Sequence, residues 1–268
     1  MSSDAPEPRK TNTGHSLAIR DLFAGYRQIA VVRELSLHVR PGEVVALLGP
    51  NGAGKTTTLE TIAGLHRPIS GTVELSGRSV GGTQAHALAR AGLALVPEGR
   101  ALFPGLTVRE HLRLAAGHRA AGHRAASHSA GRRAGARDAA GREEELLEML
   151  PELRKCLGRK AGLLSGGEQQ MLAVGRALVT RPGLLLVDEM SLGLAPVIVE
   201  RLLPILRRVA TEYGTSVLFV EQHVALALEI SDRAYILTHG RISLEGAAAE
   251  LSQRQELLAA SYLGETAA

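Results

Sequence analysis

The segment Gly49-Pro50-Asn51-Gly52-Ala53-Gly54-Lys55-Thr56-Thr57 constrains this chain more than any other. It fits G-x-x-x-x-G-K-[ST], follows the apolar run at 44–48 and precedes a helical pattern that begins near Lys55. The glycines let backbone N–H groups turn inward around phosphate oxygens, and the helix N-terminus adds its positive dipole end. Lys55 is placed to reach the β- and γ-phosphates of a nucleotide, and Thr56 to offer its hydroxyl to Mg²⁺. A strand, a glycine loop and a helix in that order belong in an α/β fold, with the loop at the carboxyl edge of the sheet.

Other runs support that class. Residues 43–48, 92–96, 184–187, 215–220 and 233–237 are short and apolar and alternate with longer helical patterns, which predicts a buried, largely parallel sheet. The run Leu184-Leu185-Leu186-Val187-Asp188-Glu189 delivers two carboxylates at a strand end. Beside a phosphate loop, Asp188 is expected to hold Mg²⁺ and Glu189 to orient and deprotonate an attacking water.

With 268 residues, 45% of them hydrophobic and 22% charged, the chain can bury one large or two modest cores. The single cysteine, Cys156, cannot close an intrachain disulfide, and no Cys/His array has zinc spacing, which fits a reducing cytoplasm. No apolar run approaches the roughly 20 residues that cross a bilayer, and the polar first 15 residues lack a signal-peptide core. Residues 1–15 are expected to form a disordered tail and the chain to be neither membrane-spanning nor exported by that route.

A pI near 9.6 invites a nucleic-acid reading. However, Arg119, Arg124, Arg132, Arg133 and Arg137 against Asp138 account for the whole formal excess of +4, all within residues 117–141. No nucleic-acid partner is therefore expected. Residues 115–141 form an imperfect Ala/Gly/His/Arg repeat, expected to be a solvated loop with partial helicity. His118, His123 and His128 fall five apart, so on a helix neighbours would stand ~140° apart, a poor arrangement for sharing a metal. An amphipathic helix is expected over 142–150 and a helical tail over 247–263, with Gly264 as its stop.

Leu164-Ser165-Gly166-Gly167-Glu168-Gln169-Gln170, followed by a helical run, is a second glycine-containing helix N-terminus. One nucleotide needs one phosphate loop, so a second anion-binding turn points to a nucleotide shared between two chains. LSGGEQQ set between a phosphate loop and LLLVDE resembles the signature of ABC-type ATPases, and the similarity runs over about residues 17–246. The resemblance implies a P-loop NTPase core of ABC type within residues 16–246. It also implies a mainly helical signature subdomain over about 98–180, an antiparallel β subdomain and a C-terminal helical tail at 247–268.

It implies ATP and Mg²⁺ as ligands and two subunits that close head to tail. Leu164, Ser165, Gly166, Gly167, Glu168 and Gln169 would then face the ATP held by the other subunit. Tyr26 matches the aromatic that stacks on adenine, His223 the switch histidine at the γ-phosphate, and Glu98 the position where most relatives have a Gln near Mg²⁺. Met190 replaces a proline and is expected to loosen Glu189, and Ala195 stands where many relatives have a loop Asp.

Val96-Pro97-Glu98-Gly99-Arg100, Leu106-Thr107-Val108-Arg109-Glu110, Ser191-Leu192-Gly193-Leu194-Ala195-Pro196 and Ser261-Tyr262-Leu263-Gly264 look like the ATP-binding subunits of branched-chain or hydrophobic amino-acid importers. That branch implies integral-membrane permeases, a second ATP-binding subunit (or a second copy) and, indirectly, an extracytoplasmic substrate-binding protein. It also implies a peripheral position on the cytoplasmic face of the plasma membrane. The same role for urea, amides or another small solute, and a non-hydrolysing regulatory nucleotide-binding module, stand as alternatives. A DNA-repair ATPase would need a long heptad insertion, and a translation-associated relative two ATPase halves; the sequence has neither.

Overall fold

The computed structural model describes residues 14–27, 29–122, 130–254 and 258. Strands β1 (Leu17–Tyr26) and β2 (Ile29–Val39) form an antiparallel pair, and β3 (Val44–Leu48) leads through the glycine loop into helix α1 (Lys55–Ile62). Then come β4 (Ser70–Leu75), β5 (Arg78–Ser79), α2 (Ala85–Arg90) and β6 (Leu93–Val96). A helical stretch follows: α3 (Val108–Gly122), α4 (Ala130–Met149), α5 (Pro151–Arg154), a 3-10 turn at Ala161–Leu163 and α6 (Gly166–Leu178). Alternation resumes with β7 (Leu184–Asp188), α7 (Pro196–Tyr213), β8 (Ser216–Glu221), α8 (Val224–Ile230), β9 (Arg233–Thr238), β10 (Arg241–Ala247) and α9 (Ala248–Ser252).

The strands make two sheets, an antiparallel β2-β1-β4-β5 and a six-stranded β10-β9-β3-β8-β7-β6 in which only β10 runs antiparallel to its neighbour. Along β3, Val44, Ala46 and Leu48 enter one core with Val187, Phe219 and the helices α6 and α7. Val45 and Leu47 enter a second core with Leu59 of α1 and with Leu22 and Leu35 of the antiparallel sheet. A strand covered on both faces has no polar side to show, which is why these strands read as unbroken aliphatic runs. The α/β class and the antiparallel β layer expected from the sequence are both present.

The parallel register decides where chemistry can occur. Leu48 is paired with Glu221, Asp188 with Val220 and Val96 with Val187, so β3, β8, β7 and β6 end on one edge. The glycine loop, Gln222-His223, Glu189 and Pro97-Glu98 all follow directly from those ends.

Three expectations change. His15, expected within the tail, belongs to the fold: its amide donates to the Gly183 carbonyl (2.9 Å), and its Nδ1 lies 2.8 Å from Ser76 Oγ. Residues 1–13 lie outside the described residues. The expected loop at 115–141 is helical through Gly122 and again from Ala130, because Ala and Arg favour helix even where little apolar area is available. Residues 123–129 and the side chains of His118, His123 and His128 lie outside the described set. The helix expected at 142–150 starts earlier, as part of α4. Of the helical tail expected over 247–263, α9 covers Ala248–Ser252 and Leu258 is helical; residues 255–257 and 259–268, with the Gly264 stop, lie outside the described residues. Among the described residues, no helix is long and apolar enough to cross a membrane.

His15 packs so closely on Gly183 that a Cβ there would come within 2.0 Å of its Cδ2. Gly183→Ala should cost roughly 1–3 kcal/mol through overpacking, and adding His15→Ala should recover most of that loss. Denaturant titrations that found the two losses simply additive would refute this packing account.

Candidate functional site

At the end of β3 the chain turns sharply at Gly49, with φ 150° and a would-be Cβ only 2.1 Å from the Leu237 carbonyl oxygen, so glycine alone fits. Six residues on, Lys55 opens α1 and is 4% exposed. Its ammonium donates to the Gly49 (2.9 Å) and Pro50 (3.0 Å) carbonyls and lies 3.4 Å from Glu189 Oε1. A buried cation is tolerated only when its donors are engaged, and these three contacts engage them. The next residue, Thr56, donates its hydroxyl to Asp188 Oδ1 (3.2 Å).

Asp188 closes β7 and is 2% exposed. Burial, with added repulsion from Glu189, Glu98 and Glu60, pushes its carboxyl up to about 6 against the lowering hydrogen bond from Thr56. A hydroxyl and a carboxylate set among further acids form a hard, oxygen-only donor set, which suits Mg²⁺. Glu98 is exposed, and it reaches this group through its charge.

Glu189 occupies the left-handed region at φ 40°, a backbone cost of about 1–3 kcal/mol for a non-glycine residue. It is held there from several sides. Its amide donates to the Val220 carbonyl (3.1 Å), and its carboxylate takes the Lys55 ion pair on one oxygen and a bond from Gln222 Nε2 (2.8 Å) on the other. Met190, which stands in place of a proline, is 2% exposed in the core, and Glu189 is contacted by Val220, Lys55 and Gln222.

One residue before Gln222, Glu221 is 1% exposed and accepts from the Ser191 amide (3.0 Å), the Ser191 hydroxyl (2.5 Å) and the Gln222 amide (3.3 Å). It fastens the loop after Glu189 to the end of β8. His223, the next residue but one, is exposed at the N-cap position of α8 and makes no side-chain capping bond.

Tyr26, at the end of β1, is 46% exposed and turns its hydroxyl onto α1, with Glu60 Oε2 at 3.2 Å and Thr57 Oγ1 at 3.5 Å. His66 meets its ring edge-on at 4.9 Å. The ring thus flanks the helix that begins in the phosphate loop.

The LSGGEQQ residues lie apart from this group, at the start of α6. Ser165 caps α6 with a reciprocal box: the Glu168 amide donates to Ser165 Oγ (3.3 Å), and the Ser165 amide donates to Glu168 Oε2 (2.8 Å). Arg159 steadies the Glu168 carboxylate (3.1 Å), and Gln169 donates to the Ala161 carbonyl (3.1 Å). Leu164 is buried, whereas Gly166 is exposed, and a Cβ on Gly167 would come within 3.2 Å of Ile198. Among the described residues, none of these contacts reaches the phosphate loop. The fold therefore gathers Lys55, Thr56, Asp188, Glu189 and Gln222 at one place and sets Leu164–Gln169 at another.

Gln222, Glu221 and Glu60 were not singled out by sequence reading. Strand register is the signal that finds the first two, since Glu221 pairs with Leu48 directly before the glycine loop.

Burial raises the Glu221 carboxyl above the usual glutamate range. The neutral form is thus favoured by the fold, and the stability it brings is complete below the ordinary carboxylate value and lost as pH rises through the raised one. Glu221→Gln, which cannot ionise, should cost more stability near about pH 5 than near about pH 8. Equal costs at both, measured by denaturant unfolding, would contradict the burial effect.

Comparison with known proteins agrees with this geometry. Residues 32–191 match the family described as ABC transporter. The chain is 38% identical over 239 residues to the high-affinity branched-chain amino acid transport ATP-binding protein BraG of Pseudomonas aeruginosa, covering 89% of this chain and 95% of that protein. It is 34% identical to the probable branched-chain amino acid transport ATP-binding protein LivF of Archaeoglobus fulgidus, covering 88% and 93%. Among solved structures, an ATP-binding subunit of an ABC transporter superposes with a TM-score of 0.76 at 29% identity, over 94% of this chain and 99% of that one. A dimeric bacterial ABC transporter cassette shares the fold with a TM-score of 0.75 at 24% identity, over 87% and 98%. The family match over residues 32–191 and the 38% identity to BraG, on a chain that carries a phosphate loop, a buried Asp-Glu strand end and a capped LSGGEQQ turn, place it in the ABC transporter family as one of its ATP-binding ATPases.

Proposed function

We propose that this chain is the ATP-hydrolysing subunit of an importer for branched-chain or other hydrophobic amino acids. It would work at the cytoplasmic face of the membrane with integral-membrane permeases and a second ATP-binding subunit, and an extracytoplasmic binding protein would deliver the substrate. The transported class rests on the similarity to the two named amino-acid transport proteins. The hydrolytic role rests on one observation: Glu189, on a strained backbone, is gripped by Lys55 and Gln222 beside the Thr56–Asp188 pair.

In this reading the amides of residues 49–56 cradle the ATP phosphates, and Tyr26 stacks on adenine. Lys55 exchanges its loop-carbonyl partners for β- and γ-phosphate oxygens. Thr56 and Asp188 would hold Mg²⁺, with Glu98 adding negative charge nearby; when bound, such an ion offsets phosphate charge. Glu189 accepts a proton from the attacking water as the new O–P bond forms and the bond from the γ-phosphorus to the bridging oxygen breaks, leaving ADP and phosphate. Gln222 keeps the Glu189 carboxylate aimed, and His223 stands next to it as the γ-phosphate contact. Ser165, Gly166 and Gly167, flanked by Leu164, Glu168 and Gln169, present the α6 N-terminus to the ATP of the other subunit. ATP then favours closure because it binds the closed pair better than the open one.

Glu189→Gln should lower turnover by roughly 10²–10⁴-fold while ATP still drives dimer formation. Turnover close to wild type, measured by phosphate release in the assembled transporter, would remove Glu189 as the base.

A further inference from the structure

Arg100 takes no part in the chemistry above, yet it joins two segments of the site. Both Arg100 (φ 60°) and the following Ala101 (φ 47°) sit in the left-handed region, and their carbonyls accept from Arg176 of α6, at 3.4 Å and 2.7 Å. The Arg100 side chain then turns back onto the start of the same helix. Its Nε donates to Gln170 Oε1 and its Nη1 to Gln169 Oε1, both at 2.9 Å. The guanidinium lies 3.7 Å from where a Cβ on Gly166 would be.

Gln170 shows how firmly this contact is specified. It is 2% exposed and its Nε2 has no partner, an arrangement proteins ordinarily avoid. Rotating the amide would bring its NH₂ against the Arg100 N–H, so the orphaned donor follows from keeping the oxygen on Arg100. Among the described residues, Arg100 has amide partners and no carboxylate.

We propose that Arg100 is a positioning residue that makes the loop at Pro97–Ala101 and the signature turn at Ser165–Glu168 move as one body. The state of the loop carrying Glu98 is thereby passed to the groups that meet the other subunit's ATP. A planar guanidinium bridging two adjacent amides does this, and a lysine cannot. This inference rests on the proposed role of the signature turn in the partner's ATP site.

The test uses the full chain carrying Glu189→Gln, with and without its companion ATP-binding subunit, and follows dimer formation against ATP concentration by light scattering. Adding Arg100→Ala should raise the ATP needed for half-maximal dimerisation roughly tenfold, while nucleotide binding to the monomer changes less than about twofold. Arg100→Lys should show most of the same loss, and Gln169→Ala should add little to Arg100→Ala. Amide exchange should quicken at Gly166–Glu168 and stay unchanged over Met171–Leu178, a pattern that general destabilisation would not give. Dimerisation of a folded Arg100→Ala chain at the parental ATP concentration, or full rescue by Lys, overturns the proposal alone. If Arg100→Ala fails to fold, Gln169→Ala and Arg100→Lys decide by the same measure. A parental chain that never dimerises with ATP overturns the signature reading, and this inference with it.

Discussion

The site depends on parallel pairing held to one register. β3 lies between β8 and β9, with β7 beyond β8 and β6 beyond β7, so four strand ends reach the same edge within two residues of one another. Slipping β7 by one residue would send Asp188 to the opposite face, because side chains alternate along a strand. The Thr56 and Gln222 contacts would both be lost with it. The aliphatic runs that fill the two cores are therefore also what aligns the carboxylates, and core packing and chemistry cannot be varied independently here.

Charge is managed at that edge by enclosure and pairing. Asp188 and Glu221 are buried carboxyls within a short span: Asp188 accepts from the Thr56 hydroxyl of α1, and Glu221 from Ser191 and the Gln222 amide. Lys55 is the cation among them, and Glu189 is its partner. The antiparallel sheet and α1 close one side, and α6 and α7 pack the other. The acids thus sit in a medium less polar than water, where each oriented donor has a larger effect.

Much of this was legible from residues alone. The glycine loop and the Asp-Glu run announce their positions because the chemistry demands fixed neighbours in sequence. The limits of β3, β6, β7, β8 and β9 lie within a residue of the apolar runs that mark them, whereas β1, β2, β4, β5 and β10 carry no such run and went unlocated. Contacts between distant segments were not legible. Gln222 meets Glu189 only through strand order, and Arg100 meets Gln169 and Gln170 only because α6 folds back under the loop after β6. The extent of α3 and α4 was misjudged for another reason. Small residues and glycines lower the burial available, but arginine and alanine propensity together with a packed end near Leu146 carries the helix further than composition implied.

The His15 anchor has a topological consequence. Gly183, which accepts its amide, directly precedes the first residue of β7, whereas the phosphate loop and Glu189 follow strand ends. Five strand residues, about 17 Å of sheet, separate the two edges. The polypeptide accordingly enters the fold at the rim opposite the nucleotide edge. Gly14 and His15 thus mark the rim opposite the edge where Lys55, Asp188 and Glu189 gather, and a reporter or affinity handle joined at Gly14 would start from that rim.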